Sequence, residues 1–210
     1  MSQITNGIRK ILSLPIVYDG FQALVGAVKF RHLYVAAYVK PSDGVRILDI
    51  GCGTAEILEY LPTGVEYHGY DLSEDYIQAA KSRYNERGHW HCASVSDMKL
   101  GDFGVFDIVM ANGVLHHLGD EEVRELAEIA SKALKRGGRF CSHDCCFVEG
   151  QNPLARYLIS MDRGRNVRKA EDYKSLIAPF FSAVDLNIRH EMLRIPYTHA
   201  IMVATKGDSA

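Results

Sequence analysis

Five short apolar runs, each followed by a loop or a stretch with helical spacing, constrain the fold of this chain more than any other feature. Residues 45–50 read as a buried strand, and helical spacing follows through residue 61. Residues 65–70 form a second run. Ser73 then stands as the N-cap of a helix reaching about residue 87, with Glu74 and Asp75 in its first turn. Residues 89–93 and 106–110 supply a third and a fourth strand. Asp120 is expected to cap a helix whose core face is Val123, Leu126, Ala127, Ala130 and Leu134, and Gly137-Gly138 is expected to end it. Residues 139–143 make the fifth strand. Strands and helices alternating at this spacing imply a parallel sheet covered on both faces.

The tail departs from that rhythm. Helical segments near residues 153–161 and 170–178 precede two last strands, 183–188 and 200–205. The expected fold is therefore α/β, doubly wound and Rossmann-like. Its seven-stranded sheet is mostly parallel, with a terminal antiparallel hairpin and helices on both faces. Ahead of it, Ile4, Ile8, Ile11 and Leu12, then Phe21, Leu24, Val25 and Val28, recur at helical spacing on either side of Pro15. We read residues 1–42 as an N-terminal helical lid or cap and residues 43–210 as the main domain.

Bulk properties exclude some roles. The chain has 210 residues, 47% of them hydrophobic, enough for one packed domain. Its formal net charge of −2 offers nothing to a polyanion, so nucleic acid is not an expected partner. No apolar run is long enough to span a bilayer and no signal-peptide pattern opens the chain; the expected location is the cytoplasm. The cysteines are Cys52, Cys92, Cys141, Cys145 and Cys146, without the paired spacing of a zinc ribbon or a disulfide scaffold. One short segment, 143–146, would have to supply a whole ligand set, and no metal is expected.

The first strand runs into Asp49-Ile50-Gly51-Cys52-Gly53, and glycines there permit a tight turn and close approach of a ligand to the backbone. The third glycine of a dinucleotide fingerprint would fall at Glu56. Asp49 and Glu56 place negative charge where a pyrophosphate would dock at a helix N-terminus, which disfavours a nicotinamide cofactor and suits one that presents a cation. Asp71 follows Gly51 by twenty positions, the separation at which a carboxylate accepts from ribose hydroxyls. A loop carboxylate supporting the Ser73 cap is the bland alternative.

With these residues in place, the sequence resembles the class I S-adenosylmethionine-dependent methyltransferases of small-molecule type. The resemblance covers roughly residues 43–206 and rests on four stretches in order: residues 47–54, 69–73, 106–118 and 134–140. It implies S-adenosylmethionine as methyl donor, with S-adenosylhomocysteine as product. Asp49 and the backbone of Gly51, Cys52 and Gly53 would hold the methionine moiety, and Asp71 the ribose. Leu72 would pack on adenine, with Ser94 and Val95 at its edge, and Asn112-Gly113 would meet the methionine end. Ser94 stands where relatives commonly carry an acidic residue, and it accepts fewer hydrogen bonds from the exocyclic amine.

Methyl transfer is an in-line displacement whose rate comes largely from alignment, and a base is needed only where the acceptor loses a proton. His143 and His117 are the candidate bases, His143 first. Neighbouring side chains at a strand end point opposite ways, so Asp144 need not orient His143. Candidate acceptor contacts are Tyr18, His116, Arg163, Arg165, Arg168, Tyr197 and His199. The arginine cluster suits an acceptor carrying an acidic group, although a solvated loop explains it too. The expected activity is methylation of a small molecule, at oxygen for preference, by a monomer or homodimer. The alternatives are an RNA or protein methyltransferase and a cofactor-binding partner without catalysis. A slightly acidic balance argues against the first, as does Asn112-Gly113-Val114-Leu115 in place of an Asn-Pro-Pro-Tyr-type tetrapeptide.

Overall fold

The computed structural model describes residues 26–94, 97, 105–162 and 164–207. Tyr18, Val95, Arg163 and most of the expected lid lie outside the described residues. The chain enters through α1 (Ala27–Tyr34), which passes into a π-helical turn, Val35–Val39. Then follow β1 (Arg46–Ile50), β2 (Glu66–Asp71), α2 (Glu74–Tyr84), β3 (His89–Cys92), β4 (Phe106–Asn112), α3 (Asp120–Ala133), β5 (Leu134–Cys145), α4 (Pro153–Ser160), α5 (Ala170–Ile177), β6 (Ala183–Arg189) and β7 (His199–Thr205).

These strands form one sheet in the order β3-β2-β1-β4-β5-β7-β6. Only β7 runs against its neighbours, pairing antiparallel with both β5 and β6. Successive strand residues face opposite sides, and each side has its own core. Leu48, Val109 and Phe140 pack with α3 and α5 on one side; Ile47, Ile108 and Met110 pack with α1 and α2 on the other. Strand order reverses at β1, between β2 and β4, which opens a crevice at the carboxyl ends of those strands.

Three details differ from the sequence reading. After β1 the chain makes only a 3-10 turn, Glu56–Tyr60, because Ala55 ahead of it adopts a left-handed backbone with φ of 57°. Gly137-Gly138 do not end α3. That helix stops at Ala133, and β5 begins at once, with a bulge at Gly137 (φ 69°) as the register moves from Phe106↔Leu134 to Ile108↔Arg139. A side chain at position 138 would meet the Lys135 carbonyl oxygen at 2.8 Å, so glycine is needed inside the strand. At the start of α3 the cap is Gly119, whose N–H donates to Glu122 Oε2 at 2.7 Å; Asp120 is the first helical residue. Ser73 does cap α2, accepting from the Tyr76 N–H.

Candidate active site

The turn after β1 is held by the strand beside it. The N–H groups of Gly51 and Cys52 both donate to the Tyr70 carbonyl, at 2.7 and 3.0 Å. Gly51 has φ of 69°, and a Cβ there would lie 2.6 Å from Val114 Cγ2, so glycine is required twice over. Gly53 N–H donates to Asp71 Oδ2 at 2.9 Å and Ser73 N–H to Asp71 Oδ1 at 2.8 Å. Asp71 thus ties the two strand ends together. Asp71 lines the crevice, and each of its oxygens has capacity for a further donor. Ile50, Gly51, Leu72, Ser94, Val114 and Leu118 are among the crevice walls. Leu72 is half exposed there, an apolar face of the kind an aromatic base covers.

Asp49 is buried, and Tyr67 Oη donates to its Oδ2 at 2.6 Å. Its Oδ1 is buried with no hydrogen-bond partner among the described residues. Burial pushes this carboxyl up to about 7; the Tyr67 bond opposes the rise and the Asp71 charge adds to it. At the end of the neighbouring strand β4, both the Oδ1 and the Nδ2 of Asn112 are buried without a partner among the described residues. Gly113, with φ of 68°, donates its N–H to the His143 carbonyl at 2.8 Å and so fixes the end of β4 against β5. Glu56 does not face the crevice as expected. Its carboxylate is ion-paired with Arg31 of α1 and lies 3.5 Å from Arg83 of α2, which removes part of the charge argument against a phosphate and leaves Asp49 to carry it.

The rim beyond β4 and β5 gathers residues far apart in sequence. His143 and Asp144 point to opposite sides, as strand alternation requires. His143 sits edge-on to Phe30 and Tyr34, ring centroids 4.6 and 4.9 Å away, with His199 at 6.3 Å. Burial, then the neighbouring His199, Arg31 and His116, hold it well below the usual histidine range, so it is neutral at physiological pH. His199 is likewise buried and is pushed down to about 3.

Asp144 turns instead to His116: its Oδ1 lies 2.8 Å from His116 Nδ1 and accepts the His116 backbone N–H at 3.1 Å. His116 Nε2 is 3.3 Å from Asp162 Oδ1. Burial alone would depress this imidazole, but the two carboxylates raise it to about 9, so His116 is a cation and no resting base. Tyr197 Oη donates to Asp162 Oδ2 at 2.8 Å, and the Gly164 N–H to Asp162 Oδ1 at 2.9 Å. The His117 ring lies tilted against His116, 4.1 Å between centroids at 41°.

Of the arginine cluster, Arg165 is exposed. Arg168 is spent on the protein itself. Its Nε and Nη2 donate to Asp120 Oδ1, its Nη1 to the carbonyls of Leu115 and Asn166, and its Nη2 also to the Leu118 carbonyl at 2.7 Å. All five guanidinium donors are used, so Arg168 clamps the rim and has nothing left for an acceptor. Sequence reasoning did not foresee the support of Asp49 by Tyr67, the Asp144–His116–Asp162 chain, or the aromatic walls Phe30 and Tyr34 around His143. Strand alternation gave the only advance signal, by separating Asp144 from His143.

A doubly wound sheet with a glycine turn and paired strand-end carboxylates defines a class of nucleotide-type α/β domains. Within that class, residues 48–142 match the family model described as a methyltransferase domain. Two curated relatives illustrate the match. The ubiquinone biosynthesis O-methyltransferase of Xanthomonas axonopodis pv. citri is 29% identical over 126 residues, 58% of this chain and 52% of that protein. The mRNA cap guanine-N(7) methyltransferase of Schizosaccharomyces pombe is 30% identical over 108 residues, 45% of this chain and 30% of that one. The chain therefore spans about a third to a half of the curated relatives it matches. Among solved structures, the plantazolicin methyltransferase BpumL in complex with a triazolic desmethylPZN analog and SAH superposes with a TM-score of 0.70 at 15% identity, covering 96% of this chain and 92% of that one. The apo S-adenosylmethionine-dependent methyltransferase SibL gives 0.70 at 16% identity over 96% and 59%. Among the described residues no helix is long and apolar enough to cross a membrane.

Proposed function

We propose that this protein binds S-adenosylmethionine at the β1–β2–β4 strand ends and transfers its methyl group to an oxygen of a small-molecule acceptor. The observation that carries the reading is the pair of polar side chains at the neighbouring ends of β1 and β4, Asp49 Oδ1 and the Asn112 amide, buried without partners among the described residues. Such groups cost roughly 1–3 kcal/mol each when left unsatisfied. An amino-acid end with an ammonium and a carboxylate offers donors to Asp49 and Asn112 Oδ1 and an acceptor to Asn112 Nδ2. Asp71 would take the ribose, and Leu72 the adenine face with Ser94 at its edge. When bound, the sulfonium supplies a methyl group open to in-line attack.

The chain's own residues then align, exclude water and move one proton. Neutral His143, at the end of β5 beside Asn112, receives the acceptor's hydroxyl proton; His117 is the alternative base. The aromatic faces of Phe30 and Tyr34 keep that imidazole dry and uncharged. O-methylation is favoured because a neutral histidine on the rim is useful to a hydroxyl acceptor, and because several relatives, including O-methyltransferase cnsE of Penicillium expansum at 29% identity, are named as O-methyltransferases. Among the described arginines of the loop, Arg165 alone is free of the clamp and supports an acidic acceptor. The cap-methyltransferase relative favours RNA as a second reading, but the chain's net charge of −2 does not suit that substrate.

The reading is tested by titrating the protein with S-adenosylmethionine in a calorimeter and following labelled methyl transfer into a panel of hydroxylated small molecules. Binding with turnover on hydroxyl acceptors supports it; absence of binding, or turnover only on RNA, overturns it.

A further inference from the structure

We propose that His116, Cys145 and Asp162 form a binding site for a borderline-soft divalent cation of the zinc type. The three residues come from separate places: the turn after β4, the end of β5, and the loop after α4. A ring nitrogen of His116, Cys145 Sγ and an Asp162 carboxylate oxygen all lie within 4.8 Å of one another, and His116 Nε2 is the nitrogen 3.3 Å from Asp162. His116 and Cys145 are buried, and Asp162 is half-buried at the mouth. Ligands held about 2.0–2.3 Å from one zinc ion sit no more than about 4 Å apart, so a contraction of about 1 Å or less assembles the set.

The surroundings have the character of a metal site rather than of a chance meeting. Ligating histidines usually donate their other ring nitrogen to a carboxylate, which fixes the tautomer and aims the free lone pair. Here Asp144, 1% exposed, lies 2.8 Å from His116 Nδ1 and leaves Nε2 toward Asp162, with Cys145 in the same cluster. Asp162 is oriented in the same way, by the Gly164 N–H and by Tyr197 Oη. A mixed nitrogen, sulfur and oxygen donor set suits zinc, while calcium and magnesium prefer oxygen alone. Two carboxylates, buried Asp144 and half-buried Asp162, share one imidazolium, so the cluster has negative charge to spare once Cys145 ionises.

Binding is balanced in protons. The ion takes the place of the proton on His116 Nε2 and displaces the Cys145 thiol proton; both protons pass to solvent, and His116 keeps its Nδ1 proton toward Asp144. Three protein ligands leave the fourth position of a tetrahedron to water. Of the other histidine groupings, Glu66–His68–His89 is less suited, because Glu66 is already paired with Arg46 at 2.8 Å.

The test uses the full chain, reduced and stripped with a chelator, titrated with Co²⁺ and separately with Zn²⁺. One equivalent of Co²⁺ is expected to produce a thiolate-to-cobalt absorption. That absorption is lost in Cys145→Ser and retained in Cys146→Ser, while Asp162→Asn weakens Co²⁺ binding at least tenfold. X-ray absorption on Zn²⁺-loaded wild-type protein needs no variant and is expected to show one sulfur among nitrogen and oxygen ligands. Absence of stoichiometric binding, a zinc shell without sulfur, or an absorption that survives in Cys145→Ser overturns the proposal. These readouts are independent of methyl transfer, so they stand or fall apart from the proposed function.

Discussion

Tyr67 Oη donates to Asp49 Oδ2 at 2.6 Å, and the other oxygen of the same carboxylate is buried with no partner among the described residues. One oxygen is thus anchored and the other held ready. This division gives the first prediction. Because the folded carboxyl titrates near 7 while an unfolded one titrates near 3.8, the fold favours the neutral form. The ligand-free protein should therefore gain stability from this group as pH falls from above 7 toward 4, and lose it as pH rises through 7. Binding of a cationic amine reverses the preference. Affinity for S-adenosylmethionine should strengthen as pH is raised from 6 to 8, and calorimetry at the two values reads the change. Asp49→Asn should flatten that pH dependence and weaken binding by about tenfold or more, roughly 1.4 kcal/mol, while making the ligand-free protein more stable than wild type at pH 8. A variant that keeps the pH dependence would show that another group governs it.

Gly51 gives the second. A methyl there meets Val114 Cγ2 at 2.6 Å and sits at a φ of 69°. Left-handed backbone alone costs a non-glycine residue about 1–2 kcal/mol, and overpacking adds about 1–3 kcal/mol. Gly51→Ala should lower the melting temperature by about 5 °C or more for a chain this size. Adding Val114→Ala should restore the steric part and not the backbone part. Melting curves of the single and double variants separate the two; full recovery in the double variant would refute the backbone contribution.

Arg168 and Arg165 should behave unlike each other. Arg168 bonds three part-buried backbone carbonyls of the rim as well as Asp120, so Arg168→Ala strips a donor from each and should cost about 2–4 kcal/mol in denaturant unfolding. Arg168→Lys should recover little, since an ammonium cannot reproduce five donors in a plane. Arg165→Ala should leave stability within about 0.5 kcal/mol, and any effect should fall on the acceptor's KM.

These residues also mark what the sequence could disclose. The parallel sheet, the glycine turn and the Ser73 cap were legible, because each rests on neighbours within a few positions or on a strict period. The 3-10 turn after Ala55 was not, since one left-handed residue interrupts a good helical pattern. Gly137-Gly138 read as a helix stop, whereas pairing of β5 with β4 turned them into a bulge within a strand. The rim was the least visible part. His116 and Asp144 stand 28 positions apart, and Tyr197 and Asp162 stand 35 apart, so only the fold brings them into contact. The role of Arg168 was misread for the same reason: its partners are carbonyls some 50 residues away, and a carbonyl has no signature in sequence.

His143 gives the last prediction. Its ring is walled by Phe30 and Tyr34 and held neutral by burial and neighbouring positive charge. A base in that state needs no deprotonation before it acts, so the pH–rate profile for kcat should show no histidine-like limb above pH 6. Removing a general base typically costs about 10²–10⁴ in rate. His143→Ala should accordingly lower kcat by about a hundredfold on a hydroxyl acceptor, with S-adenosylmethionine affinity unchanged because Asp49 and Asn112 hold the donor. On an acceptor already ionised at the assay pH, a phenol of low pKa, the same variant should lose much less, because no proton remains to be taken. Phe30→Ala separates proton transfer from positioning: a wetter pocket should let the imidazole charge, and a limb near pH 6 should enter the profile. Equal losses for His143→Ala on both acceptors would assign the histidine to alignment and pass the base role to His117.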